Sequence, residues 1–209
     1  MTAGPDGPVR APRYGIMGGT FDPPHVAHLA LATAAHEALA LDRVLFIPAG
    51  DPWLKSGRAI SPAADRLAMV QRAVAGLDWA EVSAVEVERA GPTYTIDTVE
   101  ELAAKRPGAW WLILGEDALH ELPRWHEPQR LLARVRLAVA RRDGEGALVT
   151  GALRTALPGV EDRVDVLPMP HMDDSATAIR SRIASGLPTE GLIDPAVRAY
   201  IDERGLYRP

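Results

Sequence analysis

The sequence predicts an α/β protein with an open, Rossmann-like parallel sheet that carries helices on both faces. Short apolar runs of strand length alternate along the chain with longer segments of helical period, and this alternation is typical of a parallel sheet covered by helices. The length of 209 residues suits one domain, and the 47% share of hydrophobic residues is enough for a sizeable core.

Each element is predicted from a local pattern. Apolar runs that end in glycine, proline or a charged residue indicate six strands, at residues 14–18, 44–48, 80–87, 110–114, 137–140 and 164–167. Helix propensity, capping residues and the positions of prolines indicate five helices, at residues 26–41, 61–75, 95–105, 179–185 and 195–204. For example, the second helix begins with Ser61-Pro62, and the third ends before Pro107.

The chain divides simply. Residues 1–13 are expected to form a flexible leader, because they contain glycine and proline but no apolar stretch of the signal-peptide type. Residues 14–209 are expected to form one domain, with a C-terminal helical part from about residue 175. Apolar runs such as 110–114 are far shorter than the roughly 20 residues of a membrane span. We therefore expect a cytoplasmic protein without a membrane partner.

Composition excludes several classes of function. The 23 basic and 28 acidic residues give a net charge of −5, which argues against a surface that binds nucleic acid. The chain has no cysteine, so a disulfide framework, a cysteine zinc site and a thiol nucleophile are all excluded. The chemistry must use histidine, carboxylate, hydroxyl, lysine, arginine or backbone groups.

Residues 15–28, GIMGGTFDPPHVAH, carry the strongest functional pattern in the chain. A buried strand is predicted to end at Gly18, and Asp22-Pro23-Pro24 favours the start of a helix. Free N–H groups and the positive end of the helix dipole then face the space above the glycines, so phosphate is the natural ligand. His25 and His28 are expected to share one helix face and to reach that phosphate as neutral N–H donors.

Other phosphate and metal motifs are missing from the sequence. The chain has neither the Walker motif nor the Gly-x-Gly-x-x-Gly dinucleotide fingerprint, which argues against P-loop kinases and ordinary dehydrogenases. His36 and His126 each precede a glutamate but lack the second histidine of a zincin helix. No metal site built by the protein is predicted, and His36, His120, His126 and His171 are expected to be surface or capping residues.

The segment Gly18-Gly19-Thr20-Phe21-Asp22-Pro23-Pro24-His25-x-x-His28 resembles the signature of the His-x-x-His nucleotidyltransferases, and specifically that of the bacterial nicotinate-nucleotide adenylyltransferases. Further segments resemble motifs of the same family in the same order, at residues 48–55, 92–98 (PTYTIDT), 114–119 with 122–125 (LGEDAL and LPRW), 175–180 (SATAIR) and 200–207. The resemblance covers nearly the whole chain, from about Tyr14 to Tyr207.

The resemblance implies a nucleotidyltransferase-type fold and an activity in NAD biosynthesis. The family transfers the adenylyl group of ATP to nicotinate mononucleotide, giving deamido-NAD and pyrophosphate, with Mg2+ carried by ATP. The acceptor phosphate is mostly ionised near neutrality because its second pKa is about 6, so the transfer needs no protein base. The protein must align two polyanions and stabilise charge on the leaving pyrophosphate. ATP and nicotinate mononucleotide are the implied partners, and a homo-oligomer is compatible with the sequence.

The resemblance also implies roles for individual residues. The implied catalytic residues are His25, His28 and Arg180. The implied ATP-binding residues are Gly18, Gly19, Thr20, Phe21, His28, Gly115, Asp117, Ser175, Thr177 and Arg180. The implied residues for nicotinate mononucleotide are Asp22, Lys55, Thr93, Tyr94, Thr95, Trp125 and Arg142.

Ordinary structural roles compete with several of these assignments. Ser175 and Thr177 start a predicted helix, so they are either phosphate ligands beside Arg180 or helix caps. Trp125 either stacks on the pyridine ring or packs in the core. The amides of residues 93–95 either hold the nicotinate carboxylate or form a turn and cap. Lys55, with Arg58, belongs to a loop at residues 50–60 that is long enough to act as a phosphate lid, or is simply solvated.

The chain departs from the family pattern in three places. Asp174 and Ala176 replace an apolar residue and a hydroxyl, and the Asp173-Asp174 pair would repel a triphosphate unless it is turned away or screened by magnesium. Asp143 stands where proline is usual after Arg142. Ala27 replaces the glycine that many relatives have between the two histidines.

Three other functions remain open at this point. A phosphopantetheine adenylyltransferase would have threonine in place of His25, and the 93–95 segment and Trp125 also argue against it. A cytidylyltransferase fits the His-x-x-His loop but matches the distal motifs less well. A non-catalytic nucleotide sensor would explain the changes at residues 173–176, and it would bind nucleotide without releasing pyrophosphate.

Overall fold

The structure, a computed structural model, describes residues 10–50, 60–141, 147–169, 172 and 174–208. All six predicted strands are present: β1 (Arg13–Gly19), β2 (Arg43–Pro48), β3 (Ala80–Val82), β4 (Ala109–Gly115), β5 (Arg136–Ala140) and β6 (Val164–Leu167). They form one sheet in the order β3-β2-β1-β4-β5-β6, and all neighbouring strands are parallel. From β1 the chain adds strands first toward one edge of the sheet and then, from β4, toward the other edge. Open α/β sheets bind ligands at this point between β1 and β4.

In the described part of the chain all five predicted helices are present, together with three short α-helices. The helices are α1 (Val26–Leu39), α2 (Ala63–Val74), α3 (Thr95–Lys105), α4 (Glu116–Glu121), α5 (Pro128–Arg134), α6 (Gly151–Ala156), α7 (Ala176–Ala184) and α8 (Pro195–Arg204). The sequence did not predict α4, α5 and α6, because six or seven residues carry too little periodicity. α7 begins three residues earlier than predicted because Ser175 Oγ caps it by accepting from the Ala178 N–H at 3.2 Å.

Alternation along the buried strands divides the core between the two faces of the sheet. Ile16 belongs to one hydrophobic cluster and its neighbour Met17 to the other, as the period of two in a strand requires. Helices α3, α4, α5 and α6 supply buried residues to the first cluster. Helices α1, α2, α7 and α8 supply the second cluster. The predicted Rossmann-like fold with helices on both faces is therefore confirmed.

The third strand is shorter than predicted, since it ends at Val82 and not at residue 87. The Ser83 N–H still donates to the Phe46 carbonyl at 3.0 Å, but the Glu88 N–H then donates to the Ala84 carbonyl at 2.9 Å and closes a turn. Within this turn Glu86 accepts a hydrogen bond from the Thr98 hydroxyl at 2.9 Å. The apolar alternation suited a strand, but this bond to α3 draws the chain away from the sheet.

The first strand begins inside the segment predicted as a leader. Arg13 is its first residue, and Arg10 forms an ion pair with Asp42 at 2.8 Å. The Arg13 guanidinium lies 4.5 Å from the centre of the Trp111 ring. Trp110 and Trp111 are both buried, so both are packing residues of the core. No helix in the described ranges has the length and apolar character to cross a membrane.

Candidate active site

The loop between β1 and α1 lies at the carboxyl edge of the sheet, where the sequence predicted an anion site. Its two glycines differ in what surrounds them. A Cβ added at Gly18 would meet no atom of the described residues within 4 Å, whereas one at Gly19 would approach the Phe21 ring to 3.1 Å. Gly18 therefore leaves open space beside the backbone, and Gly19 makes room for a buried aromatic ring.

Phe21 packs beneath the β1–α1 loop with its side chain directed into the core. Its backbone has φ of 50°, a left-handed conformation that costs about 1 kcal/mol or more in a residue other than glycine. Its side chain is buried and its ring meets the His28 ring edge-on, with centroids 5.0 Å apart. Burial of the ring offsets the backbone cost and supports the position of His28.

The two histidines lie side by side at the start of α1, although His25 precedes the helix and is not within it. His25 is the N-cap residue with extended backbone, and the helix begins one residue later. The two ring centroids are 3.8 Å apart. The His25 backbone N–H donates to His28 Nδ1 at 3.2 Å, so the neutral His28 ring carries its proton on Nε2. His28 thus offers an N–H donor.

Burial controls the charge of His25. It lowers the pKa of His25 to about 4, although the Asp174 carboxylate acts in the opposite direction. The His25 ring is therefore uncharged near pH 7, as predicted, but the main cause is burial and not the helix terminus. His25 Nδ1 is buried and has no hydrogen-bond partner among the residues that the structure describes.

Arg180 reaches the same loop from α7. One of its amino groups donates to the Asp22 carbonyl at 2.8 Å, and the other donates to Thr177 Oγ1 at 3.3 Å. The three predicted catalytic side chains, from His25, His28 and Arg180, are therefore attached to one loop although Arg180 is 158 residues away from Asp22. Ser175, by contrast, uses its hydroxyl as the cap of α7.

A cavity of about 330 Å3 opens between the carboxyl ends of β1, β2 and β4 and the helices α3 and α4. Six residues with predicted ligand contacts line it: Gly18, Gly19, Thr20, Thr93, Thr95 and Trp125. Aliphatic side chains from the strands form much of the remaining wall. Tyr94 instead stacks on His126, with ring centroids 4.2 Å apart. A narrow, largely apolar space with an indole on its wall suits a flat ring.

Asp22 faces a second, more open cavity of about 530 Å3, which Ser61, Arg180 and Tyr207 also line. Its carboxylate accepts from the Tyr207 hydroxyl at 2.6 Å and from the Ser61 N–H at 3.4 Å. The structure thus places Asp22 beside Arg180 and does not bring it to the cavity wall shared by Thr93 and Trp125.

Gly115 and Asp117 lie at the carboxyl end of β4. Gly115 is the N-cap of α4, and Asp117 is exposed in the first turn of that helix. They are at the predicted edge of the sheet, outside the lining of the 330 Å3 cavity. Lys55, Arg58, Arg142, His171 and Asp173 lie outside the described residues. Within the described ranges no three histidine or carboxylate side chains form a metal-binding group.

Two residues that stabilise the site have no functional role predicted from the sequence. Arg66 of α2 is buried, and its guanidinium donates to the carbonyls of Thr20, Gly50 and Ser61 at 2.9, 3.0 and 3.0 Å. The sequence did offer one signal for Arg66, because it stands among apolar residues at helical spacing. An arginine buried on such a face needs hydrogen-bond partners. Tyr207 carried a matching C-terminal motif, but no local pattern indicated its bond to Asp22.

Comparison with known proteins identifies similar sequences over most of the chain. Residues 16–182 match the family model described as cytidylyltransferase-like. A probable nicotinate-nucleotide adenylyltransferase of Dehalococcoides mccartyi strain 195 is 42% identical over 197 residues, which cover 93% of this chain and 97% of the relative. The corresponding protein of Thermomicrobium roseum is 45% identical over 198 residues, covering 94% and 92%.

Solved structures show the same fold at low identity. Nicotinic acid mononucleotide adenylyltransferase of Plasmodium falciparum, complexed with APC, is 15% identical with a TM-score of 0.73 and covers 94% of this chain and 97% of its own. A putative nicotinate-nucleotide adenylyltransferase of Vibrio parahaemolyticus is 17% identical with a TM-score of 0.66, covering 94% and 96%.

Proposed function

This chain belongs to the nicotinate-nucleotide adenylyltransferases within the cytidylyltransferase-like family, and we propose that it transfers the adenylyl group of ATP to nicotinate mononucleotide. The products are deamido-NAD and pyrophosphate, and the reaction belongs to NAD biosynthesis. The observation that carries the proposal is the convergence of His25, His28 and Arg180 on a glycine-rich loop beside the cavity that Trp125 lines.

We assign the two substrates to the two sides of this loop. The flat pyridine ring of the acceptor fits the 330 Å3 cavity, which Trp125 lines together with the polar residues Thr93 and Thr95. The ATP phosphates fit the side with His25, His28 and Arg180, which supply N–H donors and a permanent positive charge. Gly18 lines the acceptor cavity and leaves space beside the loop for the reacting phosphates.

The reaction needs alignment and charge stabilisation more than proton transfer. An oxygen of the acceptor phosphate attacks the α-phosphorus of ATP, the new P–O bond forms, and the bond to the bridging oxygen of pyrophosphate breaks. Because the acceptor oxygen is already ionised, the neutral His28 acts as an N–H donor to phosphate oxygens and not as a base. Arg180 stabilises the negative charge that accumulates on the leaving pyrophosphate.

Magnesium bound to ATP would supply further positive charge on the triphosphate. The described side chains do not form a metal-binding group of their own.

The experiment is to follow pyrophosphate release with ATP and magnesium in three separate reactions. The acceptors are nicotinate mononucleotide, nicotinamide mononucleotide and phosphopantetheine. We expect release to be fastest with nicotinate mononucleotide by a wide margin. Fastest release with phosphopantetheine would assign the chain to a different adenylyltransferase. Measurable ATP binding without release from any acceptor would indicate a nucleotide sensor.

A further inference from the structure

A carboxyl group lies on the wall of the cavity assigned to the acceptor. Glu86 follows β3 and lines the 330 Å3 cavity together with Thr93, Thr98 and Trp125. Among the lining residues in the described part of the chain, Glu86 alone has an ionisable side chain. The mechanism above does not use it, although the acceptor that enters this cavity carries a carboxylate on its ring.

The position of Glu86 is held from several directions. The Thr98 hydroxyl donates to Glu86 Oε1 at 2.9 Å, and the Thr93 side chain also forms a hydrogen bond to the carboxyl group. The backbone of Glu86 is held as well, because the Gly50 backbone packs closely against it. A Cβ added at Gly50 would lie only 2.0 Å from the Glu86 carbonyl oxygen. The carboxyl group therefore stays at the cavity wall unless these contacts break.

The surroundings of Glu86 favour its neutral form. Burial raises the pKa of Glu86, while the hydrogen bonds from Thr98 and Thr93 and the charge of Arg89 act in the opposite direction. Arg89 is the charged side chain in the described ranges that acts on Glu86, and its own charge is compensated by Glu101 at 2.7 Å. A neutral carboxyl group tolerates an anionic neighbour in the cavity, whereas an ionised one repels it.

We propose that Glu86 is a specificity-determining residue, which sets how well the cavity accepts a pyridine ring bearing a carboxylate relative to one bearing a neutral amide. The inference rests on the proposed function. When Glu86 is neutral the carboxylate acceptor enters without charge repulsion. When Glu86 ionises at higher pH, the carboxylate acceptor binds less well and the amide acceptor is little affected.

The test measures binding of nicotinate mononucleotide and nicotinamide mononucleotide by calorimetry at a series of pH values above 4.5, the ordinary carboxyl pKa. The readout is the ratio of the two affinities. Both acceptors carry the same phosphate, so the ionisation of that phosphate cancels in the ratio. We expect the preference for nicotinate mononucleotide to fall with rising pH by on the order of tenfold, the factor equivalent to one pKa unit of coupling.

Three variants sharpen the test. Glu86→Gln keeps an oxygen that accepts from Thr98 but cannot ionise, so its affinity ratio should not change with pH. The matched control is Glu88→Gln, which changes an exposed glutamate two residues away and should behave like the wild type. Thr98→Val removes a hydrogen bond that favours the ionised form, so the fall in preference should move to higher pH.

A constant ratio in the wild type, or the same fall in Glu86→Gln, would overturn the role of Glu86. Should Glu86→Gln not fold, as judged by thermal melting, the shift in Thr98→Val decides. Pyrophosphate release by the wild type, measured in parallel, separates the two possible failures. If neither pyridine acceptor gives pyrophosphate release, the proposed function is overturned and this inference with it. Release together with a constant ratio of the two affinities overturns the role of Glu86 alone.

Discussion

At the scale of single residues, neighbouring positions in the β1–α1 loop have different structural roles. Gly18 leaves space open, Gly19 accommodates the Phe21 ring, and His25 and His28 differ in burial and hydrogen bonding. A sequence motif presents these residues as one unit. The structure separates the residues that would face a ligand from those that hold the loop.

Gly18→Ala tests the open space. The added methyl meets no atom in the part of the chain that the structure describes, and alanine in place of glycine stabilises a compatible backbone by about 0.4–1 kcal/mol. We therefore expect a melting temperature equal to or slightly above that of the wild type, with kcat/KM reduced at least about tenfold by crowding of the phosphates. The control is Gly76→Ala, which is exposed, equally unobstructed and remote from the loop in sequence. Full activity in Gly18→Ala would contradict the assignment of this space to substrate.

His28→Ala tests the N–H donor. A hydrogen bond to a charged group contributes about 1.5–3 kcal/mol, so we expect kcat to fall about 10- to 150-fold. Acceptor affinity should change little, because the acceptor cavity is lined by other residues. The measurement is steady-state pyrophosphate release, with thermal melting to show that the variant is folded. Turnover equal to that of the wild type would remove His28 from the mechanism.

The buried His25 makes stability depend on pH. In the unfolded chain its pKa is 6.5 and in the folded protein about 4, so the unfolded state takes up a proton first as the pH falls. The contribution of His25 to stability is therefore complete above pH 6.5 and is lost between pH 6.5 and 4. The difference corresponds to about 3 kcal/mol. Urea unfolding of wild type and His25→Gln should show the wild type losing more stability over this range, and parallel losses would contradict the effect.

At the scale of elements, helices from distant parts of the chain hold the loop that carries the histidines. α2 contributes Arg66, which donates to the Thr20 and Gly50 carbonyls. α7 contributes Arg180, which donates to the Asp22 carbonyl. The segment after α8 contributes Tyr207, which donates to the Asp22 carboxylate. The loop therefore depends on packing of the α2, α7 and α8 side of the sheet.

Tyr207→Phe tests this attachment. It removes one hydrogen bond to a charged group, and we expect the free energy of unfolding to fall by about 2 kcal/mol. Activity should fall as well, because Asp22 is bonded through its carbonyl to Arg180. The matched control is Tyr200→Phe, which removes a bond of similar length, 2.7 Å, from Tyr200 to Asp65. If both variants keep full activity, Tyr207 contributes to stability alone.

At the scale of the whole molecule, the sequence predicted the sheet and the principal helices because alternation, propensity and proline positions are local properties. It also predicted that the two histidines and Arg180 would meet, through motif resemblance. It could not predict the burial of Arg66, since the three carbonyls it bonds belong to separate segments. Nor could it predict the turn at Glu86, which depends on a hydroxyl from α3.

The bond between Tyr207 and Asp22 joins residues 185 positions apart, and this separation has a consequence for synthesis of the protein in the cell. Translation at about 5–20 residues per second places about 10 to 40 s between the two residues. For most of that time the β1–α1 loop is outside the ribosome while Tyr207 has not yet been added to the chain. We therefore expect a nascent chain to bind nucleotide with its final affinity only after α8 and Tyr207 have left the ribosome.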